Sequence, residues 1–188
     1  MVGIVKIKKE EILSDDHYVL KKITYQIKDR DETREVYDRG NGATILLYNK
    51  EKKTVLLTRQ FRLPSFLNGN PTGFLIEPCA GFLDGDDPEQ CARRESEEEI
   101  GFKPKEVKKV FEAYSSPGAL TELLHYFIAP YSDEDKINEG GGLKEEQEDI
   151  EVLEIPFVKA FDMINTGEIK DAKAIILLQF AKINRLIE

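Results

Sequence analysis

The sequence predicts an α/β protein: a mixed β-sheet sandwiched between helices, α/β/α, with antiparallel strands ahead of it. Three observations carry this reading. Short runs rich in Val, Ile, Leu and Tyr, bounded by Gly, Pro, Asn and Asp, recur on both sides of one acidic helix signal near residues 88–100. Two more helix signals close the chain, and no internal repeat interrupts it. A chain of 188 residues with 40% apolar content can bury one good core. The expected division is an N-terminal β-strand region, 1–40, and a compact domain, 41–188.

Residues 3 to 28 alternate and are interrupted at Ser14-Asp15-Asp16, which predicts two antiparallel strands. They carry too little apolar surface to stand alone and must pack on the following domain or on a second copy of the chain. The charged segment DRDETREVYDRGNG leads into a buried strand, ATILLYN, a turn, NKEKK, and a partner strand, TVLLTRQF. LPSFLNGNPTG reads as loop, and FLIEPCAG as one strand. VKKVFEAYSS and ELLHYFIAP are strands around the turn Ser116-Pro117-Gly118, the second containing a structural His125. From Tyr131 to Glu148 the chain is polar with three consecutive glycines, a composition expected to be mobile in the absence of a ligand. EDIEVLEIP is a short strand; Pro156 begins a helix that Thr166-Gly167 ends. Asp171 caps a last helix with Ile175, Ile176, Leu178 and Ile183 as its apolar face.

The stretch GFLDGDDPEQCARRESEEEIGF, 81–102, is the most informative. Asp87 suits an N-cap, Pro88 the first helical position, and Gly101 a left-handed C-terminal residue, so a helix should run from Pro88 to Ile100. Glu95, Glu98 and Glu99 then fall at i, i+3 and i+4, on one side of the helix. Like charges so placed repel, and a divalent cation would remove that cost. Oxygen ligands without nearby Cys or His spacing favour Mg²⁺ or Mn²⁺ over zinc. Arg94 is close enough to Glu97 and Glu98 to orient a carboxylate.

Composition argues against several classes. A net charge of −9 is a poor basis for nucleic-acid binding, which draws on Lys and Arg. No apolar run approaches a membrane span, and the N-terminus lacks a signal-peptide core. Cys79 and Cys91 have no metal-ligand spacing and are expected as reduced, buried thiols in a cytoplasmic protein.

Arg94-Glu95-Ser96-Glu97-Glu98-Glu99-Ile100-Gly101-Phe102, with Gly81 upstream, closely resembles the Nudix box of hydrolases acting on nucleoside diphosphates linked to another group. Two positions depart from it: four residues rather than five separate Gly81 from Asp86, which stands where a Glu is usual, and Ser96 replaces an apolar residue. The resemblance extends through ILSDDHY, REVYDRGNGATILLYN, RQFR, CAGFLD, SPGALTEL, EDIEVLEIPF and TGEIKDAK, toward the branch that cleaves ADP-ribose and nucleotide sugars. It implies a Nudix α/β/α sandwich and a metal-dependent pyrophosphatase. GDP-mannose, giving GMP and mannose 1-phosphate, is the first expected substrate and ADP-ribose the alternative; a non-catalytic nucleotide-binding module is the rival reading.

By the same resemblance, Glu95, Glu99, the Ala80 carbonyl and Glu148 would hold metal, with Glu98 close by. Glu146 would activate water, with Gln147 beside it. Arg62 would hold the diphosphate, Lys173 would add a cationic contact, and Glu122 would accept from sugar hydroxyls. Arg34 and Glu35 would grip substrate from the N-terminal part, and His17 or Tyr18 would stack on a purine. The family arrangement also implies a homodimer in which crossed N-terminal strands complete the partner's site.

Overall fold

The computed structural model describes residues 4–143 and 149–187. The expected base Glu146, its neighbour Gln147 and the expected metal ligand Glu148 lie outside the described residues. The chain falls into two compact units, Met1–Asn41 with Glu112–Leu124, and Gly42–Phe111 with His125–Glu188.

The first unit holds three antiparallel strands in the order β1 (Lys6–Ser14), β2 (Val19–Ile27) and β3 (Arg30–Asp38). Two strands were expected, and β3 is the addition. Its sequence, RDETREVYD, lacks a clear apolar alternation, so propensity does not reveal it. Turn geometry and register make it a strand. Lys28 and Asp29 both take positive φ, 48° and 62°, as a type I′ hairpin requires, and β3 pairs with β2 from Ile27↔Arg30 to Val19↔Asp38. Polar cross-strand contacts, such as Tyr25 Oη donating to Glu32 Oε2 at 3.0 Å, take the place of apolar packing. Segment 112–124 closes the unit: Tyr37 N–H donates to the Ala119 carbonyl, and Thr121 Oγ1 to Asp38 Oδ1, both at 2.8 Å.

In the second unit the sheet runs β10 (Glu151–Pro156), β5 (Thr54–Phe61), β4 (Gly42–Asn49), β9 (Leu123–Pro130), β8 (Lys108–Tyr114), with β6 (Phe74–Glu77) on β5 and β7 (Cys79–Phe82) on β4. β5 is antiparallel to β4 and β10. At the starts of β4 and β9, Leu123 N–H reaches Asn41 Oδ1, and at their ends Tyr131 N–H reaches the Tyr48 carbonyl, so these two strands are parallel and the sheet is mixed. Every residue of β4 is buried, as a central strand's run of apolar residues dictates. FLIEPCAG, expected as one strand, is two. Pro78 has no N–H to donate, and at that point the chain leaves β5 and joins β4. The expected loop LPSFLNGNPTG contains a short helix, α1 (Leu63–Leu67), entered through Pro64.

Helices cover both faces. Ala43, Ile45 and Leu47 meet Cys91, Ala92 and Ile100 from the acidic helix α2 (Pro88–Glu95) and the turn after it. On the other side α3 (Phe157–Thr166) packs on β5 and α4 (Ala172–Ile183) on β4. The buried stripe of α4 is Ala174, Leu177, Leu178 and Ala181, whereas Ile183, expected in the apolar face, is 78% exposed. Each fully buried Leu or Ile here contributes about 1.5–3 kcal/mol. As expected, Asp171 caps α4, accepting from Ala174 N–H at 2.9 Å, and His125 is buried in β9.

Candidate active site

The acidic helix begins as its sequence dictates. Asp87 Oδ1 accepts from Glu89 N–H at 2.9 Å, Pro88 opens the helix, and Gly101 ends it at φ 81°. Its last five residues, Ser96–Ile100, form a π turn rather than continuing the expected α-helix. A π turn is a costly, wide insertion often found at functional positions. Ser96 supports this one: fully buried where the box usually has an apolar side chain, its Oγ donates to the Phe102 carbonyl at 2.8 Å. Glu95, at the end of α2, and Glu99, in the turn, are buried, 8% and 2% exposed, while Glu98 is partly open.

Strand β7 lies directly against these carboxylates. Ala80 N–H donates to Glu99 Oε2 at 3.2 Å, and a β-carbon on Gly81 would stand 1.9 Å from Glu95 Oε1. Arg94 ties the helix to the preceding loop. It donates to Glu95 Oε1 (2.7 Å), Glu98 Oε2 (3.3 Å), the Phe82 carbonyl (3.0 Å) and Asp86 Oδ2 (3.2 Å). Burial works against the Arg94 cation, but Glu95 and Asp86 outweigh it and raise its pKa. Glu97, the other expected partner of Arg94, instead faces Lys103 at 3.5 Å. A cleft of about 350 Å³ lined by Gln90, Arg93, Arg94, Glu97 and Glu98 runs beside the helix.

Whether a metal ion fits here is decided by donor chemistry. Burial pushes the Cys79 thiol well up and Cys91 up to about 12, so neither is a thiolate near neutrality. The oxygens at this place are the buried carboxylates of Glu95 and Glu99, donors of the kind suited to a hard divalent cation. Among the described residues no group of three or more His, Cys, Asp or Glu side chains is placed to hold a metal ion, and residue 148 lies outside them.

A second charged cluster lies in the same unit. Arg62, just past β5, donates Nε and Nη2 to Glu77 Oε2 at 3.1 and 2.6 Å. Lys173 Nζ lies 2.6 Å from Asp171 Oδ2 and 3.9 Å from Glu77 Oε1. Burial works against the Arg62 cation, yet Glu77 outweighs it, with Glu99 and Asp171 adding to the rise in its pKa. Burial pushes the Asp171 carboxyl up against the opposing pull of Lys173.

In the first unit, the His17 and Tyr18 rings lie 4.2 Å apart between centroids. Arg39 connects Tyr18 to Glu122: its guanidinium lies 5.4 Å from the Tyr18 centroid, and its Nε 3.5 Å from the buried Glu122 Oε1. Arg34 and Glu35 are consecutive in β3 and so project to opposite faces of the sheet. Arg34 pairs with Glu32, its same-face neighbour, at 3.0 Å.

A box of this length with its arginine and buried carboxylates calls for comparison with known families. The family profile "NUDIX domain" matches residues 38–176. The chain belongs to the Nudix family. A second profile, "GDP-mannose pyrophosphatase NudK N-terminal domain", matches residues 4–39. The chain is 56% identical over 188 residues to the GDP-mannose pyrophosphatase of Enterobacter sp. (strain 638), covering 97% of each chain. It is 55% identical over 185 residues to the enzyme of that name from Escherichia coli O157:H7, covering 96% of each. A solved structure described as "Crystal structure of ADP compounds hydrolase" superposes with a TM-score of 0.75 at 14% identity, over 98% of this chain and 97% of the other, a likeness of fold. As a Nudix hydrolase the protein is an enzyme of a family that generally uses a divalent metal.

Sequence reasoning missed Glu77 and Arg39. Glu77 is an isolated acid in an apolar run, and Arg39 is one charge among many in DRDETREVYDRGNG; only folding brings them to their partners. The glycine run of this Nudix chain is also better anchored than its composition suggests. Gly141 and Gly142 N–H donate to the Glu99 and Glu98 carbonyls at 2.9 and 3.2 Å, covering acceptors that the end of the box helix leaves open.

Proposed function

We propose that this Nudix hydrolase cleaves the diphosphate of nucleoside diphosphate sugars with Mg²⁺, converting GDP-mannose and water to GMP and mannose 1-phosphate. The observation that carries the reading is a pair of buried carboxylates, Glu95 and Glu99, in the same unit as two cations, Arg62 and Lys173, held on the buried Glu77 and the partly buried Asp171. The first set is built for a metal and the second for phosphate oxygens. The substrate choice draws support from the GDP-mannose pyrophosphatases, which match this chain nearly from end to end.

The chemistry is in-line hydrolysis. Water forms a new bond to one phosphorus, the bridging P–O bond breaks, the water proton passes to a base, and the leaving phosphate departs on the bridging oxygen. Glu95 and Glu99, with the Ala80 carbonyl and Glu148, would hold the cation, which when bound neutralises charge on the phosphate oxygens. Arg62 offers a planar fork to two phosphate oxygens, and Lys173 adds a point charge. Glu146 is the proposed base, with Gln147 a neighbouring substrate contact. Arg94 holds Glu95 in place through the 2.7 Å hydrogen bond. Tyr18, with His17, offers a ring face to a base, and Glu122 offers oxygens to sugar hydroxyls. Arg34 and Glu35, on opposite faces of β3, are proposed as separate substrate contacts. We further propose a cytoplasmic homodimer. Free thiols at Cys79 and Cys91 suit a reducing compartment, and exposed Ile4, Ile7 and Ile12 in the first unit suit contact with a second copy.

The test is product analysis with Mg²⁺ on GDP-mannose, GDP-glucose, ADP-ribose and ADP-glucose, with Glu99→Gln as control. Fastest release of GMP from GDP-mannose, lost in the variant and on chelation, is the expected result. Preference for ADP-ribose would overturn the substrate assignment, and turnover of none would overturn the catalytic reading.

A further inference from the structure

We propose that Glu77 is the positioning residue of the phosphate grip, a single buried carboxylate that sets both Arg62 and Lys173; the inference rests on the reading of those two cations given above. Glu77 ends β6, paired with Thr58 of β5, and its side chain is 3% exposed. Its two oxygens divide the work. Oε2 takes Nε and Nη2 of Arg62, and Oε1 faces Nζ of Lys173 at 3.9 Å. With the Nε–Nη2 edge turned to Glu77, the Nη1 end of the fork is turned away from it.

Burial follows the same order. The Arg62 and Lys173 side chains are 40% and 21% exposed, while those of Glu77 and Asp171 are 3% and 10%. The acids therefore lie beneath and the cations above, presented outward. Asp171 completes the arrangement from the far side: one oxygen caps α4 and the other holds Lys173 Nζ at 2.6 Å. Two cations brought together without a counter-charge would repel and disperse into solvent. A carboxylate beneath them lowers that repulsion, fixes the Arg62 head group by hydrogen bonds and draws the Asp171-held Lys173 ammonium toward it by charge at 3.9 Å, while leaving donors for a dianionic ligand. Glu77 touches no reacting atom in this scheme and acts through the two cations.

A buried ion pair that served stability alone would look similar at rest, so the test separates the two roles. Steady-state kinetics on GDP-mannose with Mg²⁺ are compared for the wild type, Glu77→Gln, Arg62→Ala and the double variant, alongside thermal midpoints. Glu77→Gln keeps the shape and one acceptor but removes the charge. The expected result is KM raised about tenfold or more with a smaller change in kcat, and a further loss on adding Glu77→Gln to Arg62→Ala that is well below its effect alone, since partners acting as a unit are not additive. Glu77→Asp, which keeps the charge but withdraws it by one methylene, should show an intermediate KM and decides the matter should the Gln variant fail to fold. A wild-type KM in folded Glu77→Gln or Glu77→Asp, or full additivity with Arg62→Ala, overturns the inference and leaves the enzyme reading standing. Absence of wild-type turnover on any nucleoside diphosphate sugar overturns both.

Discussion

Gly81 and the Glu95 carboxylate are packed against each other: a β-carbon on residue 81 would stand 1.9 Å from Glu95 Oε1 and 2.1 Å from its carboxyl carbon, so any side chain there would require Glu95 to shift. The glycine upstream of the acidic helix thus leaves room for the Glu95 carboxylate where it stands. It lets β7 press its backbone onto the carboxylates and bring Ala80 within 3.2 Å of Glu99.

Gly81→Ala must therefore displace Glu95. Forcing a methyl group into this contact should cost about 1–3 kcal/mol of stability. With Glu95 in its proposed role as a metal ligand, a shift of order 1 Å in its carboxylate should lower kcat by about 100-fold. Urea melts and initial rates check the two parts. Unchanged kinetics would mean that Glu95 moves aside without consequence and is not a ligand.

Mg²⁺ or Mn²⁺ should stabilise the wild-type protein against heat, by about 2.7 kcal/mol at a hundredfold excess over Kd. Glu99→Gln should lose most of that increment and most turnover. Differential scanning calorimetry with and without metal reads the first independently of activity. An equal metal-dependent shift in the variant would place the ion elsewhere.

With Tyr18 and Glu122 in their proposed roles as substrate contacts, Arg39→Ala should raise KM for the nucleotide sugar by roughly tenfold, because Arg39 holds both in place and loss of a partly desolvated cation–π contact, worth about 1–2 kcal/mol, frees the ring to move. The effect should fall on KM more than on kcat. A kcat loss without change in KM would contradict this assignment.

Acid should weaken the fold partly through Asp135. Burial alone would raise its pKa, but the Lys105 ion pair at 2.8 Å and the bonds from Ser132 overcome it and hold the carboxyl below its usual range. The folded state then binds fewer protons than the unfolded one as the pH falls. The contribution is fully present above the ordinary carboxylate pKa of about 4 and is lost as pH drops through the lower folded value. Asp135→Asn should be less stable than wild type at neutral pH, and the gap should shrink below about pH 4. A gap that stays constant from pH 7 to pH 3 would remove Asp135 from the account.

The sequence by itself determined those features that depend on neighbours along the chain. Asp87, Pro88 and Gly101 mark the ends of the acidic helix because caps are local chemistry, and the apolar run of β4 marks a central strand because burial on both faces demands it. The box carboxylates and Arg94 were legible for the same reason. Tertiary structure decided the rest. β3 is a strand only because β2 and a positive-φ turn impose its register, and FLIEPCAG divides at Pro78 only because two different partner strands await its halves. Ser96 is tolerated because the Phe102 carbonyl comes round to accept its hydroxyl. Glu77 is invisible as a single acid in an apolar run. It gains meaning when β5 and α4 bring Arg62 and Lys173 to its two oxygens, since a charge is interpretable only by what it is buried against.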